Sequence, residues 1–361
     1  MFAGLPKLAD KAFVIGFLVP VLLAVFATLI GFGEFPWVVE TTRALAAAND
    51  FSKLTLSAAA VIVVALVLLL ANRPMYRALE GYVGPLSARW LRERALQRWS
   101  RLDQDLWDLR AKATAAKDGT PERDAAAVAY RRALRPFLRR YPREEHNVLA
   151  TRFGNANRAF ETYSASVYDV EAILIWPRLS AVIPASFQNV LSDARAQVNC
   201  FVNITVLAAA ILVARLGCWA AEAGWLFFSC SVLHRHAPPI DLIAVLGGAL
   251  YALVCGAVVL IAYERAIEHA IALGEQVKVA FDLFLPRLPA TLGYVYPGDA
   301  AGRSAFWAAL EEAFNFHKPI EGLAYAPVAA PEVRGDEPVT TPEDEAEDGA
   351  EGEDREGEPT T

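Results

Sequence analysis

Four long runs without a charged residue constrain this chain more than any other feature. Each run is close to the ~20 apolar residues that a helix needs to cross ~30 Å of hydrocarbon. Helices of soluble domains average about 11–12 residues, so buried core segments of this length are not expected. The sequence therefore predicts an all-α protein with four transmembrane helices in two pairs. The runs are Ala12 to Gly33, Leu54 to Asn72, Ala196 to Ala214 and Leu242 to Tyr263.

The first run is predicted to be a retained transmembrane helix and not a cleaved signal peptide. Its uncharged part is longer than the 7–15 residues typical of a signal's apolar region. The nearest small-residue cleavage site, Ala46-Ala47-Ala48, lies beyond a charged loop.

The distribution of Arg and Lys predicts the orientation. Residues 73–140 carry 16 Arg and Lys against 8 Asp and Glu, and Lys7 and Lys11 precede the first run. Because short loops rich in these residues stay cytoplasmic, we expect both termini and residues 73–195 on the cytoplasmic side of a bacterial inner membrane. The connector 215–241 is then external. Its stretch Gly224 to Leu233 is too short to span, and we expect it at the membrane interface or capping the bundle.

Between the two pairs the apolar period is helical, which predicts a helical cytoplasmic domain. A break at 117–121 divides a hairpin, with Thr120 as N-cap and Pro121 at the first helical position of its second helix. After the fourth run the same period continues to Pro286, and Asp299 is predicted to cap a further helix. The predicted organisation is a first transmembrane pair (1–72), a helical cytoplasmic domain (73–195, with the hairpin at 85–141 and a further segment at 146–195), a second pair (196–263), cytoplasmic helices (264–322) and a tail (323–361).

The end of the chain has the composition of a disordered acidic tail. Residues 331–361 contain 13 acidic and two basic residues, a net charge of −11, and no aromatic residue. Such a segment cannot bury enough apolar area to offset the entropy of ordering. The whole chain has a net charge of −7, so residues 1–330 carry +4.

The uncharged runs contain small and polar residues at helical spacing. Small residues four apart let transmembrane helices approach closely, and amide side chains hydrogen-bond between helices. We expect contacts within the chain, with a homo-oligomer interface as the alternative for the small residues and a pore lining as the alternative for the asparagines. These candidate packing residues are Gly16, Ala24, Gly248, Ala252, Gly256, Asn199 and Asn203.

The connector between the third and fourth runs holds residue types that suit zinc, namely Cys218, Cys230, His234 and His236. Their spacing matches no common zinc framework, so no metal is predicted. Uninvolved thiols are expected here, with a Cys218–Cys230 disulfide on the oxidising side as the alternative.

The segment 152–184 contains the most unusual residues of the cytoplasmic domain. Gly154-Asn155 suits a turn, Arg158 and Glu161 are spaced as a helical ion pair, and Trp176-Pro177 favours an extended residue before the proline. The main expectation is a packing corner that joins the hairpin to the third transmembrane helix. The alternative is a ligand or partner pocket built from Arg152, Asn155, Arg158, Glu161, Trp176 and Arg178.

The same segment carries a resemblance. Its Gly-Asn...Arg...Glu stretch, the Trp-Pro-Arg-Leu sequence at 176–179 and the later stretch 274–283 resemble an uncharacterised family of bacterial membrane proteins of the actinobacterial type. The likeness covers roughly residues 73–317, and it implies no activity.

The function expected from these features is that of an inner-membrane scaffold, sensor or effector acting through its cytoplasmic domain, with the lipid bilayer and a protein as partners. The alternative is a channel or pore-forming oligomer, since the two-plus-two plan also occurs in proton-channel subunits. No catalytic motif or phosphate-binding glycine loop is present, so neither an enzyme nor a cofactor is predicted. A positive segment beside the membrane is required by orientation alone, so no nucleic-acid role is predicted.

Overall fold

The computed structural model describes residues 10–47, 49–231, 242–320 and 322–325. These residues form an all-α fold, and their only β pairing is an isolated antiparallel bridge between Tyr294 and Tyr325. The acidic tail predicted over 323–361 lies outside the described residues from 326 onward, as does the end of the predicted external connector, 232–241.

The described helices follow the predicted order. They are α1 (Lys11–Phe13), which continues through a π-helical turn (Val14–Leu18) into α2 (Val19–Phe32), α3 (Pro36–Ala47), α4 (Asp50–Leu79), α5 (Arg89–Ala115), α6 (Pro121–Arg140), α7 (Arg152–Glu161), α8 (Tyr163–Tyr168), α9 (Ala172–Val182), α10 (Ala185–Ser231), α11 (Leu242–Phe284), α12 (Leu288–Thr291) and α13 (Ala300–Phe316).

Four of these described helices are long and apolar enough to cross a membrane, which confirms the four predicted transmembrane helices. We call them span 1 (α1 to α2), span 2 (α4), span 3 (α10) and span 4 (α11). Spans 3 and 4 are 47 and 43 residues long, about twice the length that a bilayer requires. Each therefore continues well beyond the hydrocarbon core, and the predicted helical continuation of the fourth run is confirmed. Its cytoplasmic side stays a prediction.

The hairpin predicted over 85–141 is formed by α5 and α6. Its apolar faces enclose a small core that includes Trp99, Leu106 and Phe137. The indole Nε1 of Trp99 in α5 donates to the carbonyl of Pro142 at 3.1 Å, which connects the first helix of the hairpin to the residues that follow the second. Thr120 accepts a hydrogen bond from the amide of Arg123, so the predicted N-cap of α6 is confirmed.

A larger core joins the segment after the hairpin to the extension of span 4. Helices α9, α11 and α13 contribute fully buried side chains to it, among them Ile175, Leu179, Phe281 and Trp307. Asp299 accepts from the amide of Gly302 at 2.9 Å and caps α13, as predicted. We call α5 to α9, the extension of α11 after Tyr263, and α12 to α13 the extramembrane body.

Two local predictions differ from the structure. Gly154-Asn155 does not form a turn, because both residues lie inside α7, and Trp176 is not extended, because α9 runs through Pro177. The connector after span 1 contains an unpredicted helix, α3. Residues from Gly224 to Ser231 continue α10, and their expected place at the membrane interface or as a cap of the bundle stays a prediction.

Candidate functional site

Helix α7 is attached to the end of span 2 by its first turn. Thr151 donates from Oγ1 to the carbonyl of Leu79 at 2.7 Å, and the same oxygen accepts from the amide of Gly154 at 2.9 Å. A Cβ added to Gly154 would collide with the carbonyl oxygen of Glu80. Gly154 therefore allows α7 to approach the end of span 2 closely. The segment that contains Gly154-Asn155 fixes the extramembrane body to span 2.

A row of polar side chains follows the same helix. Asn157 donates from Nδ2 to Oε1 of Glu80 at 2.8 Å. Arg158 pairs with Glu161 at 3.2 Å, at the spacing that the sequence predicted, and its guanidinium lies 6.0 Å from the ring centre of Tyr82. Burial raises the pKa of the Glu161 carboxyl above its ordinary value, and Arg158 partly offsets this rise.

The other candidate residues lie in separate surroundings. Arg152 pairs with Glu264 of span 4, with Nη2 and Oε2 2.9 Å apart. Asn155 is 1% exposed and closes a loop by two hydrogen bonds with the backbone of Leu149, at 2.7 and 3.0 Å. Arg178 lies 3.5 Å from the ring centre of Phe314, which connects α9 to α13.

Two of the six candidate pocket residues, Glu161 and Trp176, line one cleft of about 260 Å³. We call this the Glu161 cleft. Apolar side chains of α7, α9 and α11 form its walls, and Trp176 packs beside Phe281 with ring centres 5.9 Å apart. Arg195 of span 3 lies at the cleft and forms no ion pair within the described residues. The cleft thus presents a guanidinium and an ion-paired carboxylate beside apolar walls, which suits an occupant that is apolar with one polar group.

Sequence reasoning did not identify Arg195, although a signal was present. It is the last charged residue before the third uncharged run. Glu80 was also missed, because nothing in its local sequence indicates that α7 approaches it.

The asparagines of span 3 make hydrogen bonds to spans 1 and 2. Asn203 donates from Nδ2 to the carbonyl of Gly16 at 2.7 Å, and Asn199 accepts from the hydroxyl of Tyr76 at 2.8 Å. A Cβ on Gly16 would lie 3.3 Å from the Cβ of Asn199, so span 1 approaches span 3 closely here.

The remaining small residues are less uniform. Gly248 lies against Trp219, whereas a Cβ on Gly256 would meet no atom within 4 Å. Ala24 lines an apolar cavity of about 430 Å³ between spans 1, 3 and 4, and Ala252 is half-buried. Of the small residues on span 4, Gly248 therefore packs against span 3, whereas no other part of the described chain packs against Gly256.

The candidate metal ligands lie mostly outside the described residues. His234 and His236 belong to the stretch 232–241, and the side chain of Cys230 is not described. Cys218 is a free cysteine, which agrees with the expected uninvolved thiol and not with the alternative of a Cys218–Cys230 disulfide. Within the described residues, no three His, Cys, Asp or Glu side chains converge as metal ligands.

The class that this fold defines is a helical membrane protein with four spans and an extramembrane helical body. Comparison of the chain with protein-family models, with curated proteins and with solved structures finds no match. The resemblance to an uncharacterised bacterial membrane family therefore stays a prediction.

Proposed function

We propose that this protein is a scaffold, sensor or effector of a bacterial inner membrane, which acts by binding a protein partner at its extramembrane body. The observation that carries the proposal is the continuity of spans 3 and 4 with that body. Helix α11 supplies Phe281 and Phe284 to the core of the body, and the same helix lies in the bundle from Leu242 onward. Binding at the body can therefore act on the spans without an intervening flexible joint.

A second core supports this coupling. It contains side chains of spans 2, 3 and 4 together with Phe153 and Ala156 of α7. Phe153 is fully buried, and its backbone amide donates to the hydroxyl of Tyr263 at 3.3 Å. The Glu161 cleft lies at the other end of the same helix, so a partner seated there contacts the helix that holds three spans together.

The orientation is part of the proposal. The body carries the positively charged segment 73–140, which favours the cytoplasmic side. Four spans then return both termini to the cytoplasm.

The hydrogen bonds of the spans favour a scaffold over the alternative of a channel-forming oligomer. Charged groups at membrane depth mark ion and proton paths, whereas the four uncharged runs contain no Asp, Glu, Lys, Arg or His. Asn199 accepts a hydrogen bond from span 2, and Asn203 donates one to span 1. Gly256 remains a candidate for contact between copies.

The experiment is photo-crosslinking in native membranes, with the crosslinking amino acid introduced at Ile173. This side chain is 65% exposed and lines the Glu161 cleft. The matched control position is Val128 on the hairpin, which is 53% exposed and does not line the cleft. We expect a discrete crosslinked protein from Ile173, its loss when Trp176→Ala is added, and no equivalent product from Val128.

A conductance measurement tests the channel alternative. The purified protein should show no unitary conductance in planar bilayers. Discrete conductance steps, or identical crosslinked products from Ile173 and Val128, would contradict the proposed function.

A further inference from the structure

A second, more open groove lies between the hairpin and the extension of span 4. It measures about 780 Å³. Three arginines of α6, Arg131, Arg135 and Arg139, line one wall, and Lys278 of α11 lies on the other. The arginines are spaced four residues apart, so they follow one face of the helix. We call this the arginine groove.

The acidic residues of the groove already have partners. Glu275 lies 3.1 Å from Nζ of Lys278 and 3.6 Å from Nε of Arg139. Asp282 accepts hydrogen bonds from the hydroxyls of Tyr163 and Tyr168, both at 2.7 Å. Arg131 and Arg135 are exposed and form no ion pair within the described residues. Their charge is therefore available to an anionic occupant.

The position of the groove disfavours lipid headgroups. Glu275 and Asp282 follow Tyr263, the last residue of the fourth uncharged run, by 12 and 19 residues on one continuous helix. At 1.5 Å per residue they lie about 18 and about 28 Å further along the helix axis. Surface charge is screened within a Debye length of about 8 Å at physiological salt. An acidic polypeptide fits the groove better than a membrane surface does.

The chain itself contains such a polypeptide, because residues 331–361 carry a net charge of −11. The last described residue, Tyr325, is bridged to Tyr294, which belongs to the core formed by α9, α11 and α13. Tyr163 packs against that same core and also lines the arginine groove. A polypeptide of 36 residues, the number that follows Tyr325, has a random-coil span of roughly 30 Å, and its starting point lies on the core that Tyr163 connects to the groove.

We propose that the acidic segment 331–361 binds in the arginine groove of its own chain and thereby keeps other acidic proteins out. Tethering gives the segment an effective concentration of about 1 mM, so even a weak contact is well populated. The inference does not depend on the Glu161 cleft, because groove, cleft and segment are separate parts of the chain.

The test uses a fluorescent peptide of residues 331–361 and the protein in zwitterionic nanodiscs, with binding followed by anisotropy. The peptide should bind a variant that lacks 331–361, and at least ~10-fold more weakly to the full chain, whose own segment competes. In the shortened protein, the double variant Arg131→Glu/Arg135→Glu should weaken binding at least ~10-fold, because attraction becomes repulsion.

The matched control is Arg89→Glu/Arg101→Glu in the same shortened protein. Both arginines are exposed on the hairpin, neither lines the groove, and the change in net charge is the same. Its loss of binding should stay below ~3-fold at physiological salt, where distant charges are screened. Size-exclusion profiles and helical circular dichroism establish that both variants fold.

Three results would overturn the proposal. One is equal weakening by the two double variants, which means that the attraction is diffuse. The second is equal peptide binding by the full and the shortened chain. The third is loss of peptide binding when anionic lipid replaces zwitterionic lipid at constant salt, which means that headgroups occupy the groove.

Discussion

Asn203 donates the hydrogen bond that the carbonyl of Gly16 cannot receive from Pro20. Pro20 has no N–H to offer the carbonyl four residues before it, and that carbonyl belongs to Gly16. Asn203 of span 3 donates to it at 2.7 Å and is itself fully buried. A π-helical turn over Val14–Leu18 accompanies the interruption in span 1. The polar residue in span 3 thus satisfies a backbone group that a helix in lipid cannot leave unpaired.

This arrangement predicts a dependence between two substitutions. Asn203→Ala should destabilise the protein by about 1–2 kcal/mol, because the Gly16 carbonyl loses its donor. Pro20→Ala restores a backbone N–H, so in that background Asn203→Ala should cost less than half as much. Unfolding in detergent measures all four members of the double-mutant cycle. An equal cost of Asn203→Ala in both backgrounds would show that Pro20 does not create the need for Asn203.

The contact between Gly154 and span 2 predicts a second effect. Gly154→Ala should cost about 1–3 kcal/mol, because its Cβ would collide with the backbone of Glu80 and push α7 away. Gly217→Ala is the control, since it also lies inside a helix and its Cβ would meet no atom within 4 Å. That control should be neutral or stabilising by up to about 1 kcal/mol. Thermal unfolding measures both, and similar destabilisation by the two substitutions would argue against a specific requirement at Gly154.

The environment of Glu161 predicts a pH dependence. Its pKa is raised above the ordinary glutamate value of 4.5, first by burial. The folded state therefore binds this proton at a higher pH than the unfolded state does. The resulting stabilisation is fully present below the unfolded pKa and is lost as the pH rises through the folded pKa. The unfolding free energy of the native protein, relative to that of Glu161→Gln, should therefore increase as the pH falls from 7 towards 4.5. Parallel profiles for the two proteins would show that Glu161 has an ordinary pKa.

The spans were predictable because length and the absence of charge determine them directly. In lipid, backbone N–H and C=O groups can form hydrogen bonds only with other groups of the protein. An uncharged apolar run of about 20 residues therefore forms a helix whatever its other features. The hairpin was also predictable, since Thr120 and Pro121 are local start signals and the apolar period is regular.

The region around α7 and α9 was not predictable in the same way, because contacts distant in sequence outweigh local preferences there. Gly154 favours a turn in isolation, but in the protein it allows α7 to approach Glu80. Pro177 removes one hydrogen bond from α9, and burial of Ile175 and Leu179 on the same helix offsets that loss. The Glu161 cleft is also lined by Arg195 and Phe281, which are far from Trp176 along the chain. The sequence pattern could therefore not predict that these residues form one cleft.

The extramembrane body can bind a cytoplasmic partner only if it lies on the cytoplasmic side of the membrane. Single cysteines at Ser100→Cys and Ala46→Cys, each in a chain whose four native cysteines are replaced, test this with an impermeant maleimide in intact cells. Ser100 is on the hairpin and Ala46 is in α3 of the opposite connector, and both are exposed. We expect labelling at Ala46→Cys alone in intact cells, and labelling at both positions once the cells are permeabilised. Labelling at Ser100→Cys with protection at Ala46→Cys would invert the orientation, and equal labelling at both positions would contradict the four-span arrangement.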